Sequence, residues 1–331
     1  MSITAAKRCA FAALLLLAAG ARAQILPAQL GLVVNDDDPS SVAIAEYYRQ
    51  ARGIPAQHVA HVRLPDAPHK LDAAAFATLK QQVDSQLGPD VRAVLFMWTA
   101  PYAVECNGLT AAYTLGFDAA QCSRPCGPGR ANPYFNTSQL PPGMRLSMLL
   151  PTTPEAVARA VVDRGRVAGF STPQAGAYFL HTSDKARNTR AALFPRSGSL
   201  PARRLQVHTL RQDVLEGADD IILYQTGAAR VDKLETLHFL PGALADHLTS
   251  WGGDLLGSTQ MSSLRWLEAG ATASYGTVSE PCSHWQKFPH PEVLLRHYLG
   301  GATAIEAYWR SVAWPAQGVF IGEPLARPYQ H

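Results

Sequence analysis

The stretch 241–325 holds most of the side chains in this chain that are able to do chemistry. Cys282 and His284 are two residues apart in the loop sequence EPCSHWQKFPHP. Alternate side chains of an extended segment point the same way, so the two are able to meet. A thiolate beside an imidazole serves as nucleophile and general base. Cys282 and His284 are therefore candidate catalytic residues of a hydrolase.

Asp246 and Glu280 form a second candidate pair, as the acid and the base of a hydrolase. Carboxylate pairs that cleave glycosides lie roughly 5 to 10 Å apart, a separation that sequence spacing does not determine. Ser250 stands in no G-x-S-x-G turn, the sequence that exposes the serine of many hydrolases. A hydrolase acting on peptides or glycans would thus use Cys282 with His284, or Asp246 with Glu280.

Four cysteines follow the first 23 residues, namely Cys106, Cys122, Cys126 and Cys282. Disulfides are the expected state of cysteines in an exported protein, and four cysteines allow three full pairings. A zinc site built on Cys122 and Cys126 would lack a matching second pair, so we expect no metal. A disulfide at Cys282 would compete directly with its use as a nucleophile.

The chain begins MSITAAKRCAFAALLLLAAGARAQ, which predicts a secretory signal peptide over residues 1–23. Lys7 and Arg8 precede an apolar run, and Ala21, Arg22 and Ala23 form a small-x-small cleavage triplet. No later run approaches the roughly 20 apolar residues of a transmembrane helix. We therefore expect an exported protein, periplasmic or extracellular, with no membrane span in its mature form.

Cleavage after residue 23 removes three of the 29 basic residues and no acidic one, so 26 of each sign remain. A neutral chain without a Lys/Arg cluster is not expected to bind nucleic acid. Neither GxGxxG nor GxxxxGK[ST] follows an apolar run, and no cofactor is indicated.

Apolar runs of strand length alternate with helical patterns along the whole mature chain. This alternation predicts an α/β fold with a mostly parallel sheet flanked by helices. The predicted strands include QLGLVV, VRAVLFMWT, AGAYFLH, LQVHTL, DDIILYQT and ATASYGTV. A helix is predicted after Ser183, with Asp184 and Arg187 paired one turn apart on its surface.

The strands and helices divide into two βα-rich halves, over residues 24–170 and 171–331. The first half includes the stretch 100–143, which is rich in Gly and Pro and carries three of the four cysteines. Loops of this length within a compact domain are functional or inserted, and disulfides are expected to staple this one.

Ligands of open parallel sheets bind at the carboxyl ends of the strands. This rule selects polar residues in both halves, and one hypothesis places the two sets in a single cleft. Tryptophans such as Trp251, Trp285 and Trp314 would be able to stack on sugars if they are exposed, although tryptophans often pack in cores and loops. The candidate binding residues are Asn35, Ser41, Thr226, Thr249, Ser250 and Trp285.

Several phrases over residues 29–329 resemble a family of exported bacterial proteins found in genomes with the exosortase sorting system and its exopolysaccharide genes. The phrases are VVNDDDPSSVAIAEYYRQARGIP, AYFLHTSDKARNTRA, GALADHLTSWGG, GATASYGTVSEPC and IGEPLARPY. The resemblance implies a protein of the cell envelope and carries no established activity.

The C-terminal half is distantly similar to gingipain and caspase-like cysteine peptidases. In those enzymes one apolar strand ends in His-Gly, and the next strand ends in the nucleophilic cysteine. Here IILYQTG has Thr226 in the place of the histidine, and no cysteine stands between Gly227 and Gly270. GATASYG and the later Gly-Glu-Pro match the remaining landmarks. The resemblance implies a caspase-like scaffold without its catalytic pair.

These observations favour a noncatalytic binding protein that recognises peptide or polysaccharide of the cell envelope. The alternative function is the hydrolase described above.

Overall fold

The computed structural model describes residues 24–169 and 174–330. The signal peptide predicted over residues 1–23 and the boundary predicted at 170/171 lie outside the described residues.

The first half alternates strands and helices as the apolar pattern predicts. Its strands are β1 (Leu30–Asn35), β2 (Val59–Val62), β3 (Lys70–Leu71), β4 (Ala93–Met97), β5 (Ala103–Val104), β6 (Asn107–Gly108) and β7 (Leu146–Leu149). Its helices are α1 (Pro39–Arg52), α2 (Ala73–Gln86), α3 (Leu109–Leu115), α4 (Ala119–Ser123) and α5 (Glu155–Val167). The α1 helix begins where the Asp38 carboxylate accepts the Ser40 N–H at 2.9 Å, and it ends at Gly53 with φ +64°.

The second half continues the alternation. Its strands are β8 (Ala175–Leu180), β9 (Gly198–Leu200), β10 (Leu205–Leu210), β11 (Ile221–Gly227), β12 (Phe239–Leu248), β13 (Ala273–Thr277) and β14 (Gly318–Gly322). Its helices are α6 (Leu264–Ala269), α7 (Pro291–Leu299) and α8 (Ala304–Ser311). The prediction of a helix after Ser183 is wrong. That segment forms turns and is followed by a short 3₁₀ helix at Ala191–Leu193.

Both halves contribute to one sheet of 11 strands in the order β2-β1-β4-β7-β14-β13-β12-β11-β8-β10-β9. From β2 to β14 all neighbours are parallel, and from β13 to β10 they are parallel again. The two groups meet at the antiparallel pair β13 and β14, and β9 is antiparallel to β10 at the edge. The predicted α/β fold with a mostly parallel sheet and flanking helices is therefore confirmed.

The reversal of strand direction corrects one prediction about the site. Asn35 ends β1 in the first group, whereas Glu280 follows β13 in the second group. Because the groups run in opposite directions, their carboxyl ends lie at opposite edges of the sheet. The hypothesis of a single cleft shared by both sets of residues is wrong.

The interior of the sheet is apolar on both faces. All five residues of β4, AVLFM, are buried, as are all residues of β1 and β14. This explains why these strands appear in the sequence as continuous apolar runs. One large cluster of buried side chains draws on both halves, and a smaller one surrounds Trp266 beneath β11 and β12.

The stretch 100–143 is tied to both halves. Its strands β5 and β6 form a small second sheet with β3. One disulfide joins Cys106 to Cys122 within the stretch, and a second joins Cys126 to Cys282 in the second half. The four cysteines are thus paired, as expected for disulfide staples. Among the helices described, none has the length and apolar character needed to cross a bilayer.

We expect the Cys126–Cys282 bond to stabilise the fold more than the Cys106–Cys122 bond. The first closes a loop with a sequence separation of 156, the second only 16. Loss of loop-closure entropy in the unfolded chain then predicts a difference of about 2 kcal/mol. Urea unfolding of the two Cys→Ser double variants measures both free energies of unfolding. A larger loss from the Cys106 and Cys122 variant would contradict this expectation.

Candidate functional site

Asp246 lies inside β12 and is 1% exposed, so it is not a loop residue. The guanidinium of Arg190 forms an ion pair with its Oδ1, and Gln225 Nε2 donates to its Oδ2 at 2.9 Å. Arg190 also donates to the carbonyl oxygens of Thr226 at 2.9 Å and Pro289 at 3.2 Å. Burial raises the pKa of Asp246, while Arg190 and Gln225 oppose that rise. The carboxylate is the centre of a closed structural network.

His247 is equally buried and both of its ring nitrogens are engaged. Its Nε2 lies 3.1 Å from the carbonyl oxygen of Met261, and its Nδ1 accepts the indole N–H of Trp266 at 2.9 Å. Burial lowers the pKa of His247 to about 3. The ring is therefore neutral at physiological pH, with Nε2–H donating, and it has no free lone pair with which to act as a base.

The adjacent ends of β11 and β12 carry two of the candidate binding residues, Thr226 and Thr249. In the paired strands Thr226 stands opposite His247, and the next pair leads directly to Thr249. The Thr249 hydroxyl donates to Gln260 Oε1 at 2.6 Å and accepts from Arg187 Nε at 3.1 Å. The buried Thr226 hydroxyl has no hydrogen-bond partner among the described residues. Thr226 and Thr249 therefore lie at the carboxyl ends of two neighbouring parallel strands.

The side chains around this edge are held by short-range contacts. Arg187 pairs with Asp184 at 2.8 Å, the ion pair expected from their spacing, although the segment is a turn and not a helix. The Ser250 carbonyl accepts from the Thr277 hydroxyl at 2.9 Å, and the Ser250 residue itself is half-buried. These contacts fix the loops that follow β8, β12 and β13.

The loop from Glu280 to Trp285 differs from a catalytic Cys-His pair. The sulfur of Cys282 is bonded to Cys126, so it offers no thiolate, and a disulfide takes the place of the predicted nucleophile. Glu280 Oε1 accepts the backbone N–H of Cys282 at 2.7 Å and shapes the turn. The His284 ring lies edge-on to Trp314, with ring centres 6.2 Å apart. Trp285 is half-buried against His290.

Asn35 and Ser41 lie at the opposite edge and are also internal, at 1% and 0% exposure. The Ser41 hydroxyl accepts the backbone N–H of Asn35 at 2.9 Å. The Asn35 side-chain oxygen accepts the N–H groups of Leu64 at 3.0 Å and Asp37 at 3.2 Å. Both side chains stabilise the turn between β1 and α1, which explains why polar residues stand where the apolar run of β1 ends.

Lys287 is a buried cation that the sequence patterns did not indicate. Its ammonium donates to Gln317 Oε1 at 2.7 Å and to the carbonyl oxygen of Pro125. Gln317 in turn donates to the carbonyl oxygen of Glu280 at 2.7 Å. Burial lowers the pKa of Lys287 to about 8. The lysine thus joins the two segments that the Cys126–Cys282 disulfide also connects.

A cavity of about 530 Å³ opens between α7, α8 and the segment 195–203. None of its lining residues was singled out by the sequence patterns, because they come from segments far apart in the chain. Its walls are mainly aliphatic, with several cationic side chains. The lining includes Pro195, Leu200, Arg203, Glu292, Leu295, Arg296, Leu299 and Arg310.

Within residues 24–169 and 174–330, no group of three or more His, Cys, Asp or Glu side chains is arranged to hold a metal ion. The chain matches no protein-family model, no curated protein and no solved structure. The geometry described above is therefore the basis for assigning a function.

We expect Arg190→Met to lower the free energy of unfolding by about 3–5 kcal/mol, because it leaves the buried Asp246 carboxylate without its cation. The matched control is Arg187→Met, whose ion pair with Asp184 is about one quarter exposed and should cost about 1 kcal/mol or less. Denaturant unfolding of both variants tests the difference. Equal losses would show that the Arg190 network does not support the fold.

The lowered pKa of Lys287 predicts that the free energy of unfolding rises at alkaline pH. Between pH 8 and 10.5 the unfolded chain binds more protons at this lysine than the folded chain, so its contribution increases with pH. Relative to Lys287→Met, the wild type should gain about 2–3 kcal/mol between pH 7.5 and 10.5. Lys80→Met, at a partly exposed lysine paired with Asp84, serves as control and should show no such gain. Parallel pH curves for wild type and Lys287→Met would contradict the prediction.

Proposed function

We propose that this chain is an exported, noncatalytic binding protein of the cell envelope, built on a scaffold like that of the caspase-like peptidases. The observation that carries the proposal lies at the ends of β11 and β12. These are neighbouring parallel strands that lead to Thr226 and Thr249. The resemblance to the peptidases would put the catalytic histidine at Thr226, and the sequence has no cysteine between Gly227 and Gly270 to serve as the nucleophile.

The groups around Thr249 argue against a hydroxyl nucleophile. A threonine hydroxyl needs a nearby base to take its proton. Its hydrogen-bond neighbours are an amide oxygen of Gln260 and the guanidinium of Arg187. The guanidinium has no lone pair to accept a proton, and an amide oxygen is a very weak base. The hydroxyl is therefore a structural contact.

Three of the candidate reactive groups of the second half are committed to internal bonds. Asp246 is paired with Arg190, His247 is held neutral between Trp266 and Met261, and Cys282 is in a disulfide. Gly227 belongs to the same frame, because a Cβ there would overlap the carbonyl oxygen of Arg187. This arrangement supports a rigid scaffold over a hydrolase.

The resemblance to the exosortase-associated proteins is the reason for proposing an envelope setting, with peptide or polysaccharide as the ligand. Two disulfides fit an oxidising compartment. Half-buried indole rings at Trp251, Trp285 and Trp314 supply flat apolar surfaces in the second half. They support recognition of such ligands without chemistry.

The proposal predicts that the purified protein binds members of envelope peptide or glycan arrays but turns over none of them. It also predicts four blocked cysteines, Cys106, Cys122, Cys126 and Cys282, when the denatured, unreduced protein is alkylated and mapped by mass spectrometry. Reduction before alkylation is the control and should label all four. Turnover that is lost in Glu280→Gln or Asp246→Asn, or an alkylated Cys282 with a low pKa, would overturn the proposal.

A further inference from the structure

The cavity between α7, α8 and the segment 195–203 has the size of a ligand site. Its volume of about 530 Å³ lies within the range of roughly 300 to 1,000 Å³ found for small-ligand pockets. It lies apart from the Asp246 and His247 networks, since no member of either network lines it. The reactive-looking residues of β12 therefore play no part in it.

The apolar wall of the cavity is partly exposed to solvent. Leu295 and Leu299 are four residues apart and lie on one face of α7. Leu200, at the end of β9, faces them and is 42% exposed, one of the few large aliphatic side chains of the described residues with that exposure. An aliphatic ligand group bound here would remove Leu200 from water, which is a favourable step.

The charged part of the lining has an excess of cations. Arg203, Arg296 and Arg310 line the cavity together with one carboxylate, that of Glu292. No ion pair joins Arg203 or Arg296 to a carboxylate within the described residues, and the Arg296 guanidinium donates to the side-chain oxygen of Asn136. An anionic group entering the cavity would therefore meet uncompensated positive charge.

Arg310 adds a specific donor to this wall. It is 5% exposed and is held by Glu306 at 3.5 Å and by the carbonyl oxygen of Ser138 at 3.2 Å. Its ring contact with Tyr134 fixes the guanidinium plane. The buried Nε has no hydrogen-bond partner among the described residues. A buried donor without a partner is costly.

We propose that this cavity binds the C-terminal end of a peptide whose last residue is aliphatic. The carboxylate would meet the arginines, and the aliphatic side chain would pack on Leu200, Leu295 and Leu299. Ser138 and Glu292 offer acceptors for a peptide N–H, which a simple fatty acid would leave unmatched. The described lining includes no Trp, Tyr or Phe, the side chains that give the broad flat surface on which a sugar stacks, and His297 is its one aromatic ring. The inference rests on the proposed binding function and assigns to it a site and a ligand class.

Calorimetric titration of the full chain with acetyl-Ala-Leu, its C-terminal amide and hexanoate tests the proposal. We expect the peptide acid to bind, and the amide and hexanoate to bind at least about tenfold more weakly. Leu200→Gln and Arg203→Gln should each weaken binding of the acid by about tenfold, and Arg203→Gln should remove the preference for acid over amide. Leu256→Gln and Arg211→Gln are matched exposed controls outside the cavity and should leave binding unchanged.

The other outcomes separate this inference from the proposed function. Hexanoate binding as tightly as the peptide acid would reassign the cavity to fatty carboxylates and overturn the peptide. Peptide binding that survives both cavity variants would place the ligand elsewhere. Absence of binding by acetyl-Ala-Leu, with retained binding to an envelope glycan, would reject this site while leaving the noncatalytic binding function intact. Cleavage of the peptide would reject the binding function itself.

Discussion

The antiparallel pairing of β13 with β14 is the constraint on which the rest of the structure depends. Five residue pairs, from Ala273 with Gly322 to Thr277 with Gly318, join two sets of strands that run in opposite directions. A Cβ at Gly318 would overlap the Tyr275 side chain, so this close seam requires glycine there. Because β14 also pairs with β7, the C-terminal strand lies between the two halves and makes one sheet of them.

The antiparallel pair β13 and β14 also explains how the stretch 100–143 is placed. Gly108 lies directly against the backbone of Gly318, where a Cβ would overlap the carbonyl oxygen. The backbone N–H of Gly108 donates to the Ala316 carbonyl at 2.9 Å, and the Ser279 hydroxyl donates to the Cys106 carbonyl at 2.6 Å. The Cys126–Cys282 bond and Lys287 then hold the next part of the stretch. The stretch 100–143 is thus bound against the antiparallel pair β13 and β14, where the two groups of strands meet.

Strands buried on both faces were predictable because they are continuous apolar runs, as in β4, β8 and β11. The β12 strand escaped prediction, since Pro241 and Gly242 interrupt it and Asp246 and His247 make it look like a polar loop. Their partners Arg190 and Trp266 come from distant segments that spacing does not reveal. The sequence after Ser183 resembles the start of a helix. In the structure the Ser183 hydroxyl donates to the Asp213 carboxylate, so it does not cap a helix.

Reactive residue types are a poor guide to a site when they fall on central strands. A buried polar group must be paired inside the protein, because leaving it without a partner costs about 1–3 kcal/mol or more. Asp246, His247 and Thr249 are paired in this way, and the pairing that stabilises them also removes them from chemistry. The open cavity is instead lined by leucines and arginines, which attract no notice in the sequence. Its character comes from how α7 and α8 are laid over the sheet, so only the assembled fold reveals it.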